Sequence, residues 1–192
     1  MKSLALKISM AVLSMIPLVA KAELIVLASP QSNDAYYAKM IDDIFDFHVD
    51  YAKKIIKNGD NVVVLTDKGL YPDYVKALGK KHVAIAPMHD IWMRDFTSAN
   101  PAQPVMFRYT AAGQGGAKKG QAISDEVQDE FKYYSQKAGL QFTQSKLLND
   151  GGNWVEDGYG NVVLSTKFLA DNKLTESEAR KKLMALTGAK QI

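Results

Sequence analysis

The chain has 192 residues, of which 47% are hydrophobic, so it can bury a core and is not a disordered polymer. It contains no cysteine, which excludes disulfides and thiol nucleophiles within this sequence. The formal net charge is +3, but residues 1–22 hold three lysines and no acidic residue. The remainder is therefore close to neutral and offers no electrostatic argument for nucleic-acid binding.

Residues 1–22 have the pattern of a secretory signal. Lys2 and Lys7 form a short basic segment, and an apolar run follows at residues 8–19. This run is too short for a spanning helix, which needs about 20 residues, although an uncleaved membrane anchor is the alternative. Ala20-Lys21-Ala22 fits the small-x-small cleavage rule. We therefore expect cleavage after Ala22, a secreted or periplasmic protein, and no membrane segment after cleavage.

Residues 23–192 alternate between strand-like and helix-like patterns without a dividing linker. Short apolar runs predict strands at residues 23–28, 61–66, 82–87, 105–109, 142–148 and 162–165, with another beginning at 189. Helical spacing of apolar residues predicts helices at about 40–58, 71–78, 124–138 and 175–188. Residues 89–100 fit neither period, and the Gly-, Ala- and Lys-rich residues 111–120 are predicted to be a loop. The pattern indicates one α/β domain.

Two polar segments directly follow predicted strands. They are His89-Asp90-Ile91-Trp92-Met93-Arg94-Asp95 and Asn149-Asp150-Gly151-Gly152-Asn153-Trp154. Charged groups at the ends of buried strands are costly unless they are paired or used, and binding sites are commonly built on loops at such positions. These two segments are therefore the candidate functional site.

The carboxylates of Asp95 and Asp150 suit the recognition of a guanidinium group. A guanidinium is planar, permanently charged and has five N–H donors in fixed directions, so carboxylates can accept from its different edges. Trp92 could cover the flat face by a cation–π contact, and Gly151-Gly152 would let the backbone approach a ligand closely. The ordinary alternative is that Arg94 pairs with Asp95 to order a loop and that the glycines form a hairpin turn.

Two further patterns are weak. Residues 113–120 resemble a phosphate-binding loop but lack the G-K-[S/T] ending. A metal site formed by His89, Asp90 and Asp95 would lack a second cluster of ligands. We therefore expect neither a cofactor nor a metal.

Four segments together resemble the agmatine deiminases and the bacterial, Porphyromonas-type peptidylarginine deiminases. Asp90-x-Trp-x-Arg-Asp95 is similar to the D-x-W-x-R-D signature of that family, and Asp150-Gly-Gly-Asn153 is similar to its E/D-G-G-N motif. The family stretch between these two motifs resembles Phe107-Arg108-Tyr109 and the Gly-rich residues that follow. The family stretch after the second motif resembles residues 161–166 followed by Asn172. The order and the separations agree along most of residues 23–192.

The resemblance implies a fold and a set of roles. The fold is the pentein, an α/β propeller of ββαβ units, of which this chain would hold only the first units. Asp95 and Asp150 would bind the guanidinium during catalysis, with Asp150 in the place of the more usual Glu. Trp92 would line the pocket, Arg94 would order the loop or meet a substrate carboxylate, and Asp90 would contact a polar part of the substrate. The backbone of the second loop would complete the substrate site at Gly151, Gly152 and Asn153.

The resemblance also implies an activity: hydrolysis of a guanidinium to a ureido group with release of ammonia. Agmatine, on a route to putrescine, or peptidyl arginine would be the substrate, and export favours the peptidylarginine type. In the family a cysteine thiolate attacks the guanidinium carbon, and a histidine beyond the Gly-Gly-Asn motif acts as acid and base. This sequence has no cysteine, and His48, His82 and His89 all precede that motif.

We therefore expect a truncated protein that is catalytically silent as this chain. The alternatives are a secreted, non-catalytic module that binds a guanidino compound, and a non-functional fragment. Because an incomplete ring would leave strand edges and apolar faces uncovered, we also expect self-association or marginal stability.

Overall fold

The computed structural model describes residues 23–98, 104–110 and 116–192. The predicted signal segment, residues 1–22, and residues 111–115 of the predicted Gly-rich loop lie outside these residues. Helices and strands alternate along the described chain, which agrees with the predicted α/β class. In the part of the chain that the structure describes, no helix is long and apolar enough to cross a membrane.

The strands of the described residues are β1 Leu24–Ala28, β2 Asn61–Thr66, β3 Val83–Ile85, β4 Val105–Tyr109, β5 Thr143–Asn149, β6 Val155–Glu156 and β7 Val162–Val163. The α-helices are α1 Ile41–Lys57, α2 Tyr71–Leu78, α3 Met93–Phe96, α4 Ala117–Lys137, α5 Lys167–Asn172 and α6 Glu176–Thr187. Among the described residues, 3₁₀ turns occur at Lys80–His82 and Gly151–Asn153.

The first sheet contains three parallel strands in the order β1-β2-β3. Its central strand carries Val62 and Val64, which are both buried. Ala52 and Ile55 of α1 pack on Val62, and Tyr74 of α2 packs on Val64. Helices therefore cover this sheet through apolar side chains, as a Val-rich parallel strand requires.

The second sheet pairs β4 with β5 in parallel, and its register shifts between Met106 and Arg108. Helix α4 connects the two strands along the chain. A shared core cluster joins this unit to the first sheet, with Ala28 of β1, Phe96 of α3 and Phe131 of α4 in the same cluster as Met106. The short helix α3 is thus embedded by its apolar side between the two sheets.

The C-terminal part packs around a second core cluster that includes Trp154, Phe168 and Leu183. Strands β6 and β7 pair antiparallel, and an isolated parallel bridge joins Asn161 to Gln191. The described residues thus form three separate small sheets. The closed ring of ββαβ units that the pentein resemblance implies is not found among them.

Helix α4 begins at Ala117, seven residues before the predicted start at Ser124, and part of the predicted loop 111–120 is therefore helical. The hydroxyl of Ser124 is buried and donates to the carbonyl of Thr110 at 3.0 Å. Ser at this position resembled an N-cap, but its partner is a carbonyl of the preceding strand region. Ser124 therefore makes a contact with a distant part of the backbone, although its position in the sequence is typical of an N-cap residue.

The strand predicted at residues 162–165 ends at Val163. The backbone N–H of Ser165 donates to the side-chain oxygen of Asn153 at 2.9 Å. Thr166 is the N-cap of α5, a helix that the sequence did not predict. By contrast, Thr175 and Glu178 form the predicted capping box at the start of α6.

Candidate active site

The first site loop is anchored by its apolar residues. Met93 and Phe96 of α3 are buried in the core cluster, so the intervening residues Arg94 and Asp95 turn towards the opposite side of this single helical turn. Helix α3 was not predicted because its four residues are too few to show a helical period. The core packing of α3 therefore determines where the carboxylate of Asp95 is presented.

Asp90 lies at the beginning of this loop and is buried. Its Oδ1 atom accepts hydrogen bonds from the hydroxyl of Tyr37 at 3.2 Å and from the backbone N–H of Ile91 at 2.7 Å. Asp90 also lines the cavity described below. Its contacts connect the segment before α1 to the site loop.

Arg94 joins the two site loops. Its Nη2 atom donates to the backbone carbonyl of Trp154 at 2.9 Å. Among the described residues, Arg94 forms no ion pair with Asp95. Arg94 therefore bonds to a carbonyl of the second loop and not to its neighbour Asp95.

The second site loop is a 3₁₀ turn, Gly151–Asn153, and not a hairpin turn. The Oδ1 atom of Asp150 accepts from the backbone N–H of Asn153 at 2.8 Å and so caps the turn. A Cβ atom on Gly151 would lie 1.7 Å from the carbonyl oxygen of Arg94. Glycine is therefore required at position 151 by the close approach of the two protein loops.

Gly152 lies between the two candidate carboxylates. Its N–H donates to Asp95 Oδ1 at 3.0 Å. A Cβ atom at this position would lie 3.1 Å from Asp95 Oδ1 and 3.3 Å from Asp150 Oδ1, so the two carboxylates are close neighbours. Among the described residues, no Lys or Arg side chain forms an ion pair with either of them.

The pKa of the Asp95 carboxyl is raised above its ordinary value. Burial is the largest cause, and the negative charge of Asp150 adds to it. The Gly152 N–H and the positive charge of Arg94 oppose the shift in part. Two neighbouring carboxylates repel each other, so a bound cation at this position would be electrostatically favourable.

A network that the sequence analysis did not assign supports the second loop. Asn153 donates from Nδ2 to Asn149 Oδ1 at 3.0 Å. Asn172 of α5 contacts the end of β5 by accepting from the Leu148 N–H at 2.8 Å and donating to the Leu148 carbonyl at 2.9 Å. The sequence signal for Asn172 was its position in the fourth matched segment. These contacts fix the strand end that carries Asp150.

An open cavity of about 760 Å³ lies beside the first site loop. Its described lining residues are Asp34, Tyr36, Tyr37, His89, Asp90, Trp92, Asp95, Tyr109, Ile123, Glu126 and Val127. This lining includes four carboxylates, and its described part includes no Lys or Arg. The indole of Trp92 is 61% exposed, which leaves its face available to a ligand. The arrangement suits a planar or chain-like cation.

The three histidines differ in position. His89 lines the cavity, and its Nε2 atom lies 3.7 Å from Glu130 Oε2 and 4.0 Å from Glu126 Oε1. His48-Val49-Asp50 has the letters of an H-x-D motif, but the ring of His48 is buried in α1 against the hydroxyl of Tyr74. His82 is also buried, and its Nδ1 atom contacts the carbonyl of Val62. Neither buried histidine lines the cavity.

No metal site is evident in this part of the chain. The described residues contain no group of three or more His, Cys, Asp or Glu side chains arranged to hold a metal ion.

The model of one protein family, described as Porphyromonas-type peptidyl-arginine deiminase, matches residues 14–192. A comparison with curated protein sequences found no match. Several solved structures share the fold. C. jejuni agmatine deiminase is 17% identical with a TM-score of 0.66, and the match covers 90% of this chain and 52% of that one.

Two other solved structures have a similar fold. A crystal structure assigned as a peptidyl-arginine deiminase is 19% identical with a TM-score of 0.68, over 89% of this chain and 53% of that one. Agmatine deiminase of Enterococcus faecalis is 14% identical with a TM-score of 0.61, over 88% and 49%. This chain thus spans about half the length of the solved structures it matches. The fold, the order of the motifs and the family model agree, and the chain belongs to the Porphyromonas-type peptidyl-arginine deiminase family.

Proposed function

We propose that this chain forms the guanidinium-binding part of a deiminase site. The observation that carries the proposal is the position of Asp95 and Asp150 on either side of Gly152, close together and without an ion-pair partner among the described residues. A guanidinium has enough donors to satisfy both carboxylates from different edges. It would also offset the burial and the repulsion from Asp150 that together raise the pKa of Asp95.

The cavity supports a cationic ligand. Its described lining contains four acidic side chains without a Lys or Arg, so a positive ligand is favoured over an anion. Trp92 could stack on the flat face of the guanidinium, a contact worth about 0.5–2 kcal/mol. A substituted form of C. jejuni agmatine deiminase has been solved with its substrate bound, and that protein shares this fold.

The reaction we assign to the complete site adds water to a guanidinium and yields a ureido group and an ammonium ion. The binding residues of this chain would orient the guanidinium and stabilise its charge. The nucleophile is a separate requirement, because these 192 residues contain no cysteine. We propose that this chain by itself binds a guanidino compound and does not turn it over. Agmatine and peptidyl arginine are the two candidate substrates.

Calorimetric titration of the purified chain with agmatine and with a short arginine peptide tests binding, and ammonia release from the same compounds tests turnover. We expect saturable binding and ammonia at the level of the buffer control. Enzyme-dependent formation of carbamoylputrescine or citrulline would refute catalytic silence. Absence of binding to both compounds would refute the guanidinium site.

Export is a separate proposal, supported by the basic and apolar pattern of residues 1–22 and by Ala20-Lys21-Ala22. Mass spectrometry of the protein from the periplasm or the medium should find Glu23 as the first residue. An intact Met1 in a cytosolic fraction would contradict export.

A further inference from the structure

Tyr37 lies outside the four segments that resemble the family, yet its side chain contacts the first site loop. The residue is 8% exposed, and it lines the cavity together with Trp92 and Asp95. Its hydroxyl donates to Asp90 Oδ1 at 3.2 Å. Burial and the negative charge of Asp90 raise the pKa of this hydroxyl above its ordinary value, so the hydroxyl stays protonated and acts as the donor.

Asp90 connects Tyr37 to the backbone of Trp92. The Oδ1 atom that accepts from the Tyr37 hydroxyl also accepts from the backbone N–H of Ile91 at 2.7 Å and from that of Trp92 at 3.4 Å. Trp92 is the N-cap residue of α3. A carboxylate that Tyr37 contacts therefore holds the Trp92 backbone at the point where the helix begins.

The side chain of Trp92 is also a hydrogen-bonding neighbour of the Tyr37 hydroxyl, and it favours the ionised form of that hydroxyl. The only donor of an indole ring is its N–H, so this edge of Trp92 faces the Tyr37 oxygen. An interaction at the N–H edge restricts the rotation of the ring, although the residue is 61% exposed. The exposed ring is thus restrained from the buried side.

The segment that carries Tyr37 is fixed by contacts of its own. The Oδ1 atom of Asp34 accepts from the backbone N–H of Tyr36 at 2.8 Å and from that of Tyr37 at 3.4 Å. Gln31 Nε2 donates to the carbonyl of Met88 at 3.3 Å, directly before the first site loop. Tyr37 is therefore presented to that loop by an ordered turn.

We propose that Tyr37 is a positioning residue of the guanidinium site, and that its hydroxyl, through Asp90 and the indole N–H, fixes the Trp92 ring for stacking on the bound cation. This inference rests on the proposed function for its ligand, but the contacts belong to the unliganded chain. A ring that is already held loses less conformational freedom when the ligand binds. The affinity for agmatine should therefore depend on Tyr37 only while Trp92 is present.

The indole N–H signals in a ¹H–¹⁵N spectrum test the contact without a ligand. The chain has two tryptophans, and the variant Trp92→Phe assigns the two signals. Trp154 is 1% exposed and its Nε1 donates to Glu156 Oε2 at 3.2 Å, so its signal reports on the core. In Tyr37→Phe the Trp92 signal should shift upfield and exchange faster with water, because its acceptor is lost. The Trp154 signal should not change.

A double-mutant cycle with calorimetric titration of agmatine tests the role in binding. Tyr37→Phe should weaken the affinity about fivefold in the parent chain. In a Trp92→Ala background the same change should weaken it by less than about twofold, because Tyr37 acts through the ring that is missing.

The matched control is Tyr74→Phe. Tyr74 is fully buried, and its hydroxyl contacts His48 Nδ1 at 3.1 Å, but Tyr74 does not line the cavity. The control also removes one buried hydroxyl that has a hydrogen-bond partner. It should leave the Trp92 signal in place and the agmatine affinity within about twofold.

An unchanged Trp92 signal in Tyr37→Phe would overturn the inference. So would an equal movement of the Trp154 signal, an equal loss of affinity in Tyr74→Phe, or an undiminished fivefold loss in the Trp92→Ala background. Failure of the parent chain to bind agmatine would count against the guanidinium site instead, and the two indole signals would still decide whether Tyr37 holds Trp92.

Discussion

The backbone N–H of Gly152 donates a 3.0 Å hydrogen bond to the carboxylate of Asp95, which lies 57 positions earlier in the chain. This bond joins a loop that follows the first sheet to a loop that follows the second. Every residue type except proline has the N–H, but only glycine leaves both neighbouring carboxylates without a crowding Cβ atom. The contact therefore brings Asp95 and Asp150 together while leaving them accessible.

Replacing Asp95 with Asn should weaken agmatine binding without lowering the stability of the fold. The Asn side chain keeps an oxygen for the Gly152 N–H but removes the charge. A carboxyl group whose pKa is raised by folding contributes stability below its unfolded pKa and loses that contribution as the pH rises. Near neutral pH the unliganded variant should therefore melt at the same or a higher temperature than the parent. Its affinity for agmatine should fall at least about tenfold.

Thermal unfolding and calorimetric titration measure the two effects of the Asp95→Asn change. Asp73→Asn, at an exposed position of α2, is the control and should alter neither. Retained agmatine affinity in the Asp95 variant would contradict the assigned site.

Gly151→Ala should be strongly destabilising. The added Cβ atom would lie 1.7 Å from the carbonyl oxygen of Arg94, so the two loops must separate, at a cost of about 3 kcal/mol. Gly152→Ala should cost less than about 1 kcal/mol, because its contacts of 3.1 and 3.3 Å involve carboxylate ends that can rotate. Urea denaturation should show this order, and the reverse order would contradict the close approach of Gly151 to the Arg94 carbonyl.

Asn172→Ala should loosen the end of β5. Its side chain contacts both backbone groups of Leu148 and also donates to the carbonyl of Phe168 at 2.9 Å. Loss of these bonds leaves polar groups unsatisfied and should cost about 2–3 kcal/mol. Hydrogen exchange at the Leu148 amide should accelerate in the variant. The control is Asn58→Ala, which removes one exposed contact with Asp60. An equal loss of stability in this control would argue against the role of Asn172.

His48 should make the fold sensitive to acid. Burial lowers its pKa from 6.5 to about 4. Between these values the unfolded chain binds the proton and the folded chain does not, so the contribution of His48 is full above about pH 6.5 and falls as the pH drops towards 4. The loss between about pH 7 and pH 5 should be about 2 kcal/mol.

Urea denaturation across this pH range, compared between the parent and His48→Gln, isolates the effect of His48. The stability difference between the two proteins should shift by about 2 kcal/mol in favour of the variant at the acidic end. A constant difference across the range would show that His48 is not held neutral by the fold.

The order of helices and strands was largely predictable because it depends on local periodicity. The Val-rich run at Asn61–Thr66 is strand β2, and the capping box at Thr175 opens α6 as expected. The short elements α3 and α5 were missed, since four or six residues do not show a period. The early start of α4 was missed because the partner of Ser124 is a backbone carbonyl outside its own helix.

The two site loops were recognised from sequence because charged residues and glycines followed predicted strands. By itself, the sequence predicted the candidate site residues and determined that the chain contains no thiol. Only the tertiary structure decided that Gly151 accommodates Arg94 and that Arg94 binds the Trp154 carbonyl. It also decided that Asp95 meets Asp150 across Gly152. Residue type and spacing are local properties, whereas these contacts depend on how α3 packs between two sheets formed by distant parts of the chain.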